Sequence, residues 1–287
     1  MSEGMVFANG IELWYDAIGD SSAPAVLLIH SMGLQSGAWG PEVVDPLLDA
    51  GYQVIRVDNR DNGRSEWIDY ARHPYDVRDM AVDMTCLLDA LDVSAAHLVG
   101  FAMGAMIAQQ VAIDSPDRVL SLSCIAVTTE VELARMEPKA LDVFGTMLNT
   151  PPPGRGGGIE WGLAALRSMA GRGFAFDEGW WREVLRRSGR RFNLRNAHAV
   201  AMTRTPSQFE RLSRCHVPAL FLHSDDDPLF PHARVKELSE RMPSARLHTL
   251  TGAGRDLSPA IFAEVMPDVL AHLAEASGAS GAGSSVA

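Results

Sequence analysis

Four short apolar runs constrain this chain more than any other feature: Ala25–Ile29, Gln53–Val57, Ala96–Val99 and Val119–Val127. Short runs without sustained alternation suit strands buried on both faces, as in a parallel sheet lying between layers of helix. The segments between them read as helices. Val77, Met80, Ala81, Met84, Leu87, Leu88 and Leu91 recur at three- and four-residue steps, which puts them on one face of a helix. Met103–Ile113 reads as a second helix, closed by Asp114-Ser115-Pro116. Further on come a strand (Ala219–His223), a helix (His232–Arg241), a strand (Arg246–Leu250) and a last helix to about Ala274, with Pro267 kinking it or sitting in its first turn. Asn9-Gly10 between two short apolar-rich runs predicts a hairpin at the start, because both turn residues tolerate positive φ. Strand–helix alternation of this kind gives an α/β fold, a mostly parallel sheet covered on both faces.

The rhythm breaks between about 129 and 210. Pro151-Pro152-Pro153-Gly154-Arg155-Gly156-Gly157-Gly158 reads as loop by composition, with helical stretches around it that carry Trp161, Trp180 and Trp181. The expected organisation is therefore a core formed by 1–128 and 211–275, an inserted helical cap or lid at 129–210 over the C-terminal edge of the sheet, and a Gly/Ser/Ala-rich disordered tail at 276–287. A chain of 287 residues with 47% hydrophobic residues can bury the core this requires. Its net charge of −11 argues against nucleic acid as a partner. No apolar run approaches the roughly 18 residues that would span a bilayer, so no membrane association is expected. Cys86, Cys124 and Cys215 are odd in number and widely spaced, which fits reduced thiols rather than a disulfide framework or a zinc site. Residues 1–10 carry neither a basic nor an apolar signal region, so the expected location is cytoplasmic.

Five motifs follow one another in order. Leu28-Ile29-His30-Ser31-Met32-Gly33 leaves one buried strand. Asp58-Asn59-Arg60-Asp61-Asn62-Gly63-Arg64-Ser65 leaves the next. His97-Leu98-Val99-Gly100-Phe101-Ala102-Met103-Gly104-Ala105 runs from a strand through a Gly-x-x-x-Gly turn into a helix. Ser224-Asp225-Asp226-Asp227-Pro228-Leu229 and Leu250-Thr251-Gly252-Ala253-Gly254-Arg255-Asp256-Leu257 complete the set. The first four each have a bland reading: a structural histidine at a strand end, charges pinning a long loop, a small-residue turn, and a solvated acidic cap.

Together, across about residues 5–274, the motifs resemble the α/β-hydrolase superfamily. The phrase Val57–Ser65, with its unusual Asp61, and Asn196-Ala197-His198 are similar to the aclacinomycin methylesterase group of polyketide-tailoring esterases. The resemblance implies an α/β-hydrolase fold with a helical cap. It also implies a nucleophile position at Ala102, an acid position at Asp227 (Asp225 and Asp226 being the fallback) and a base position at Arg255. By the same resemblance the backbone N–H groups of Met32 and Met103 form an oxyanion hole. No metal or other cofactor is implied.

The substitutions change the chemistry. Alanine cannot form an acyl-enzyme, and arginine, which keeps its proton, cannot serve as a general base. Arg255 either fills a dead site as an ion pair with Asp227 or presents a fixed positive charge to a substrate carboxylate or enolate. His30, His198 and Trp161 are candidate substrate contacts, each with packing as the alternative. The expected ligand is a small molecule, apolar and oxygenated; a homodimer is left open. Three functions compete: a non-hydrolytic enzyme (elimination, decarboxylation, cyclisation or isomerisation) on a polyketide-like metabolite, a catalytically dead binding protein, and an ester hydrolase with rerouted chemistry or an engineered loss of the nucleophile.

Overall fold

The computed structural model describes residues 1–131, 138, 141–142, 145, 154–188 and 197–282. Eight strands form one sheet: β1 (Ser2–Ala8), β2 (Ile11–Ile18), β3 (Ala25–Ile29), β4 (Gln53–Val57), β5 (Ala96–Phe101), β6 (Val119–Ile125), β7 (Ala219–Ser224) and β8 (Ala245–Leu250). Their order is β1-β2-β4-β3-β5-β6-β7-β8. β1 pairs antiparallel with β2, and β2 with β4; every later pair is parallel. The Asn9-Gly10 turn has φ of 50° and 79°, as its two residue types allow. β3, β5 and β7 are buried along their whole length, which explains why β3 is wholly apolar and why β5 and β7 are apolar apart from His97, His223 and Ser224.

Helices cover both faces: α1 (Pro41–Asp49), α2 (Val77–Ala90), α3 (Met103–Asp114), α8 (His232–Arg241) and α9 (Pro259–Ala282). Asp76 caps α2 in a reciprocal capping box with Asp79, satisfying backbone donors at that helix start. β6 stops at Ile125, two residues short of the apolar run, because Ala126 takes a φ of 52°. Pro267 lies inside α9, which begins at Pro259.

Between β6 and β7 the described residues carry α4 (Gly154–Met169), α5 (Glu178–Arg187), α6 (Ala197–Arg204) and the single turn α7 (Phe209–Leu212). They meet the core at loops that leave strand C-terminal ends. Ala170 bridges Gly254, and the N–H groups of Gly171 and Gly173 donate to the carbonyls of Ala253 (3.2 Å) and Gly252 (2.8 Å). The indole N–H of Trp181 donates to Asp256 at 2.5 Å. Thr205, just after α6, accepts the N–H of Val77 at 3.0 Å.

Two expectations need correction. The Pro/Gly run at 151–158 is not loop throughout: α4 begins at Gly154. The helix extends back into the glycines because its later turns bury Leu163, Leu166 and Met169, and that packing outweighs a helix penalty of about 1 kcal/mol per glycine. Nor is the chain disordered from 276, since α9 runs on to Ala282. Ala276 is buried, and the Ser277 hydroxyl donates to the Leu273 carbonyl and meets His97 Nε2 at 3.1 Å, which ties this turn to the sheet. Residues 283–287 lie outside the described residues.

Candidate functional site

The site is built around the β5–α3 turn. Ala102 sits at its apex with φ 54° and ψ −109°, a conformation that costs an L-residue about 1–3 kcal/mol. Its N–H is held by the Ile125 carbonyl at 2.9 Å. The two flanking glycines are required by contact. A Cβ on Gly104 would fall 2.0 Å from the Ile29 carbonyl oxygen, and one on Gly100 would fall 2.5 Å from Gly104. This is the geometry of a nucleophile elbow. The side chain at its tip is a methyl group, 4% exposed.

β3 and β5 are neighbours, with Ile29 opposite Gly100, so the loop that leaves β3 arrives beside this apex. Residues 31–34 form a turn in which the Leu34 N–H donates to Ser31 at 3.2 Å, with Gly33 at φ 75°. Met32 lies in that turn, and Met103 is the first residue of α3. N–H groups in the first turn of a helix have no acceptor within the helix. The topology thus brings the two expected oxyanion donors to adjacent strand ends.

Asp227 follows β7 and its side chain is wholly buried. One carboxylate oxygen accepts from the N–H groups of Leu229 (2.8 Å) and Phe230 (3.1 Å). The other accepts from Arg255 Nη1 at 2.8 Å. Arg255 Nη2 donates to the Ala126 carbonyl at 3.1 Å, and its guanidinium lies 4.7 Å from the Phe230 ring centre. Only 4% of the Arg255 side chain is exposed. Because Ala102 is bonded to Ile125 and Arg255 to Ala126, both positions are referenced to the same end of β6. The fallback acids are engaged elsewhere: Asp225 accepts from Gly252 N–H at 2.7 Å, and Asp226 pairs with Arg172. Asp227 is therefore the acid that meets residue 255.

A further group here had no motif to mark it. His223, the fifth residue of β7, is buried with its Nδ1 3.9 Å from Asp227. Its Nε2–H donates to the Phe230 carbonyl at 3.1 Å, while Nδ1 has no hydrogen-bond partner among the described residues. Burial lowers its pKa and favours the neutral ring. The only sequence signal was a polar residue ending an apolar strand.

His30 and His198 take up packing positions. His30 is buried against Trp39 and Phe101, its Nδ1 accepting from the Ser31 N–H at 2.7 Å, and burial takes its pKa down to about 3. His198 is buried on α6 and its Nε2–H donates to the Arg60 carbonyl at 2.6 Å, tying cap to core. Trp161 lies half-buried on α4. Asp61 has φ 61°, where the superfamily pattern carries glycine, and its two oxygens accept from Ile68 N–H (2.6 Å) and Tyr75 O–H (2.7 Å). Its role is to fold the loop. Burial pushes the Cys124 thiol up to about 12, which removes it as a nucleophile. Among the described residues no group of three or more His, Cys, Asp or Glu side chains could hold a metal ion, and no helix is long and apolar enough to cross a membrane.

The chain is similar to several known proteins. The rhodomycin D methylesterase of Streptomyces peucetius is 30% identical to this chain, over 95% of it and 98% of the relative. That of Streptomyces sp. (strain C5) is 31% identical with the same coverage. Among solved structures, a thermophilic esterase from Thermogutta terrifontis superimposes with a TM-score of 0.76 at 19% identity, covering 96% of this chain and 99% of that one. A family model described as alpha/beta hydrolase fold matches residues 24–258, and the chain belongs to that family.

Proposed function

We propose that this chain is a non-hydrolytic tailoring enzyme of secondary metabolism that binds a bulky, apolar, oxygenated, polyketide-like molecule. It would promote an elimination, decarboxylation, cyclisation or isomerisation. One observation carries the reading: the strained apex at Ala102 is intact, although its side chain has no lone pair with which to attack. What survives is the part of an esterase that polarises a carbonyl, two backbone donors at the Met32 and Met103 positions. What is missing is the part that forms a bond and moves a proton. The likeness to rhodomycin D methylesterases supports the substrate class.

Incubation with aromatic polyketide methyl esters and their acids, followed by mass spectrometry, tests the reading. The expected product has the mass of the substrate, or that mass less water or carbon dioxide, and no methanol appears. Methanol release by the wild-type chain overturns it. Restoring both lost groups in Ala102→Ser/Arg255→His is expected to yield measurable ester hydrolysis in the same pocket.

A second reading, a binding protein without turnover, is favoured by the burial of Arg255, whose charge is committed to Asp227. It predicts ligand-dependent thermal stabilisation, scaling with RT ln(1 + [L]/Kd), with no product. Rerouted hydrolysis through His198 gains no support from a ring that is buried and bonded to Arg60.

A further inference from the structure

We propose that this chain forms a two-fold dimer in which β1 pairs antiparallel with β1 of a second copy, joining the two sheets into one. The interface is separate from the candidate site, since β2, β4 and β3 stand between β1 and the elbow strand β5.

β1 ends the sheet, with β2 as its one neighbour among the described residues. Its ladder runs without a bulge from Ser2 opposite Ala17 to Ala8 opposite Ile11. A two-residue turn makes Ala8 and Ile11 a hydrogen-bonded pair, and such pairs alternate along an antiparallel ladder. Ser2, Gly4, Val6 and Ala8 therefore bond β2, while the N–H and C=O groups of Glu3, Met5 and Phe7 point away from it. Among the described residues these outward groups have no hydrogen bond. Sheet edges are normally blunted by charge, proline, a bulge or a covering helix. β8, at the other end, fits that rule: Arg246 pairs with Glu275 and His248 with Asp268, both carboxylates lying on α9. β1 has no proline, lysine, arginine or bulge, and its one charged residue, Glu3, lies 3.9 Å from Arg64. It is also apolar where it is bare. Met5 and Phe7 are 44% and 75% exposed, on the face that alternate residues share. Of the seven large apolar side chains exposed among the described residues, Met1, Met5 and Phe7 lie in or next to β1, and Val82 lies on α2, which packs against it.

A second copy is the occupant because the strand complements itself. An axis at Met5 puts Ser2 opposite the partner's Ala8, Glu3 opposite the partner's Phe7 and Gly4 opposite the partner's Val6. The whole strand is then used, and every outward N–H and C=O is bonded. No like charges face each other, because Glu3 meets an aromatic ring rather than a second carboxylate. Met5 and Phe7 of both copies form one continuous apolar strip. Pairing of two such strands buries on the order of 1,000 Å² in total, the lower bound for a specific complex, so the dimer is weak and reversible. The net charge of −11 on each copy opposes association, and salt screens that repulsion.

Sedimentation velocity of the full chain in high salt, from about 1 to about 200 μM, tests the inference over the range that an interface of this size calls for. The wild-type chain is expected to pass from monomer to dimer across that range. Met5→Pro removes an outward N–H and leaves the bonds to β2, so it is expected to sediment as a monomer with its circular dichroism unchanged. Phe7→Glu sets a carboxylate opposite the partner's Glu3 on both sides of the axis, and is expected to raise the dissociation constant about tenfold or more. Phe7→Glu/Glu3→Lys is expected to restore the dimer, because positions 3 and 7 face each other. A wild-type chain that stays monomeric overturns the inference, whatever other protein it binds. A dimer that survives both Met5→Pro and Phe7→Glu also overturns it, since the interface then lies elsewhere. So does a dimer lost in Phe7→Glu and not recovered by Glu3→Lys, since the strands are then not paired about Met5.

Discussion

Arg255→Met isolates what the buried ion pair contributes. Breaking a buried pair by removing one partner costs about 3–5 kcal/mol, because an uncompensated charge stays in the interior. Here the remaining carboxylate keeps the N–H groups of Leu229 and Phe230, which places the loss near the lower end of that range. The Ala126 carbonyl also loses its guanidinium donor, adding about 1 kcal/mol. Methionine still covers the Phe230 ring, so lost packing is a minor part. The expected destabilisation is about 4 kcal/mol. Arg255→Met/Asp227→Asn removes the stranded charge but keeps an acceptor for the two N–H groups, and should recover about half of the loss. Urea unfolding followed by tryptophan fluorescence reads both values, given an unchanged dependence on denaturant. A loss below about 1 kcal/mol in the single variant would refute the buried-pair reasoning. So would a double variant no more stable than the single one.

Further outcomes follow from the same geometry. Ala102→Gly should be neutral to about 2 kcal/mol stabilising by urea titration, because relief of a strain of about 1–3 kcal/mol outweighs the added freedom of the unfolded chain. Gly104→Ala should lose more than about 2 kcal/mol in that assay, since its Cβ would meet the Ile29 carbonyl. Burial depresses His30 to about 3 and His97 to about 4. The stability that comes from keeping these rings neutral is therefore complete above the unfolded value of 6.5 and is lost as the pH falls towards 4 and then 3. In His30→Asn, stability plotted against pH between 5.5 and 4 should be shallower by about 1.4 kcal/mol per pH unit, one proton's worth.

The parts of this molecule that were legible in the sequence are those fixed by backbone sterics. Asn9-Gly10 announced a hairpin because the turn needs positive φ, and Gly100 and Gly104 announced the elbow because their Cβ atoms would clash. Positions 102, 227 and 255 were picked out through the resemblance to α/β-hydrolases, at strand ends and glycine turns. Elements held by tertiary packing were not readable. The sequence pattern marked no helix over α1, which contains Pro41 and Pro46; Pro41 occupies the first turn, and the buried Val43, Val44 and Leu47 hold the rest. The extension of α9 depends on Ser277 meeting His97, a contact between residues 180 positions apart. His223 was hidden because one polar residue at the end of an apolar strand has many explanations. The second bond of Arg255, to Ala126, depends on β6 ending in a residue with positive φ, and no local pattern encodes that.

This division bears on what holds the shape of the site. The apex at residue 102 is fixed by the flanking glycines and by a hydrogen bond from its own N–H to Ile125. The loop at 255 is fixed by the bridge from Ala170 to Gly254 and by the Arg255 N–H donating to Met169 at 2.8 Å. Neither restraint passes through the side chain at 102 or 255. Substitution at 102 or 255 therefore leaves the frame in place and alters what the frame presents: an unreactive methyl at one point and a cancelled charge at the other. A frame of this kind does not reveal activity by surviving. The change in charge is the more informative mark, because filling a dead site requires only a side chain of suitable volume. A guanidinium that binds Asp227, bonds the end of β6 and lies against Phe230 does more than fill space.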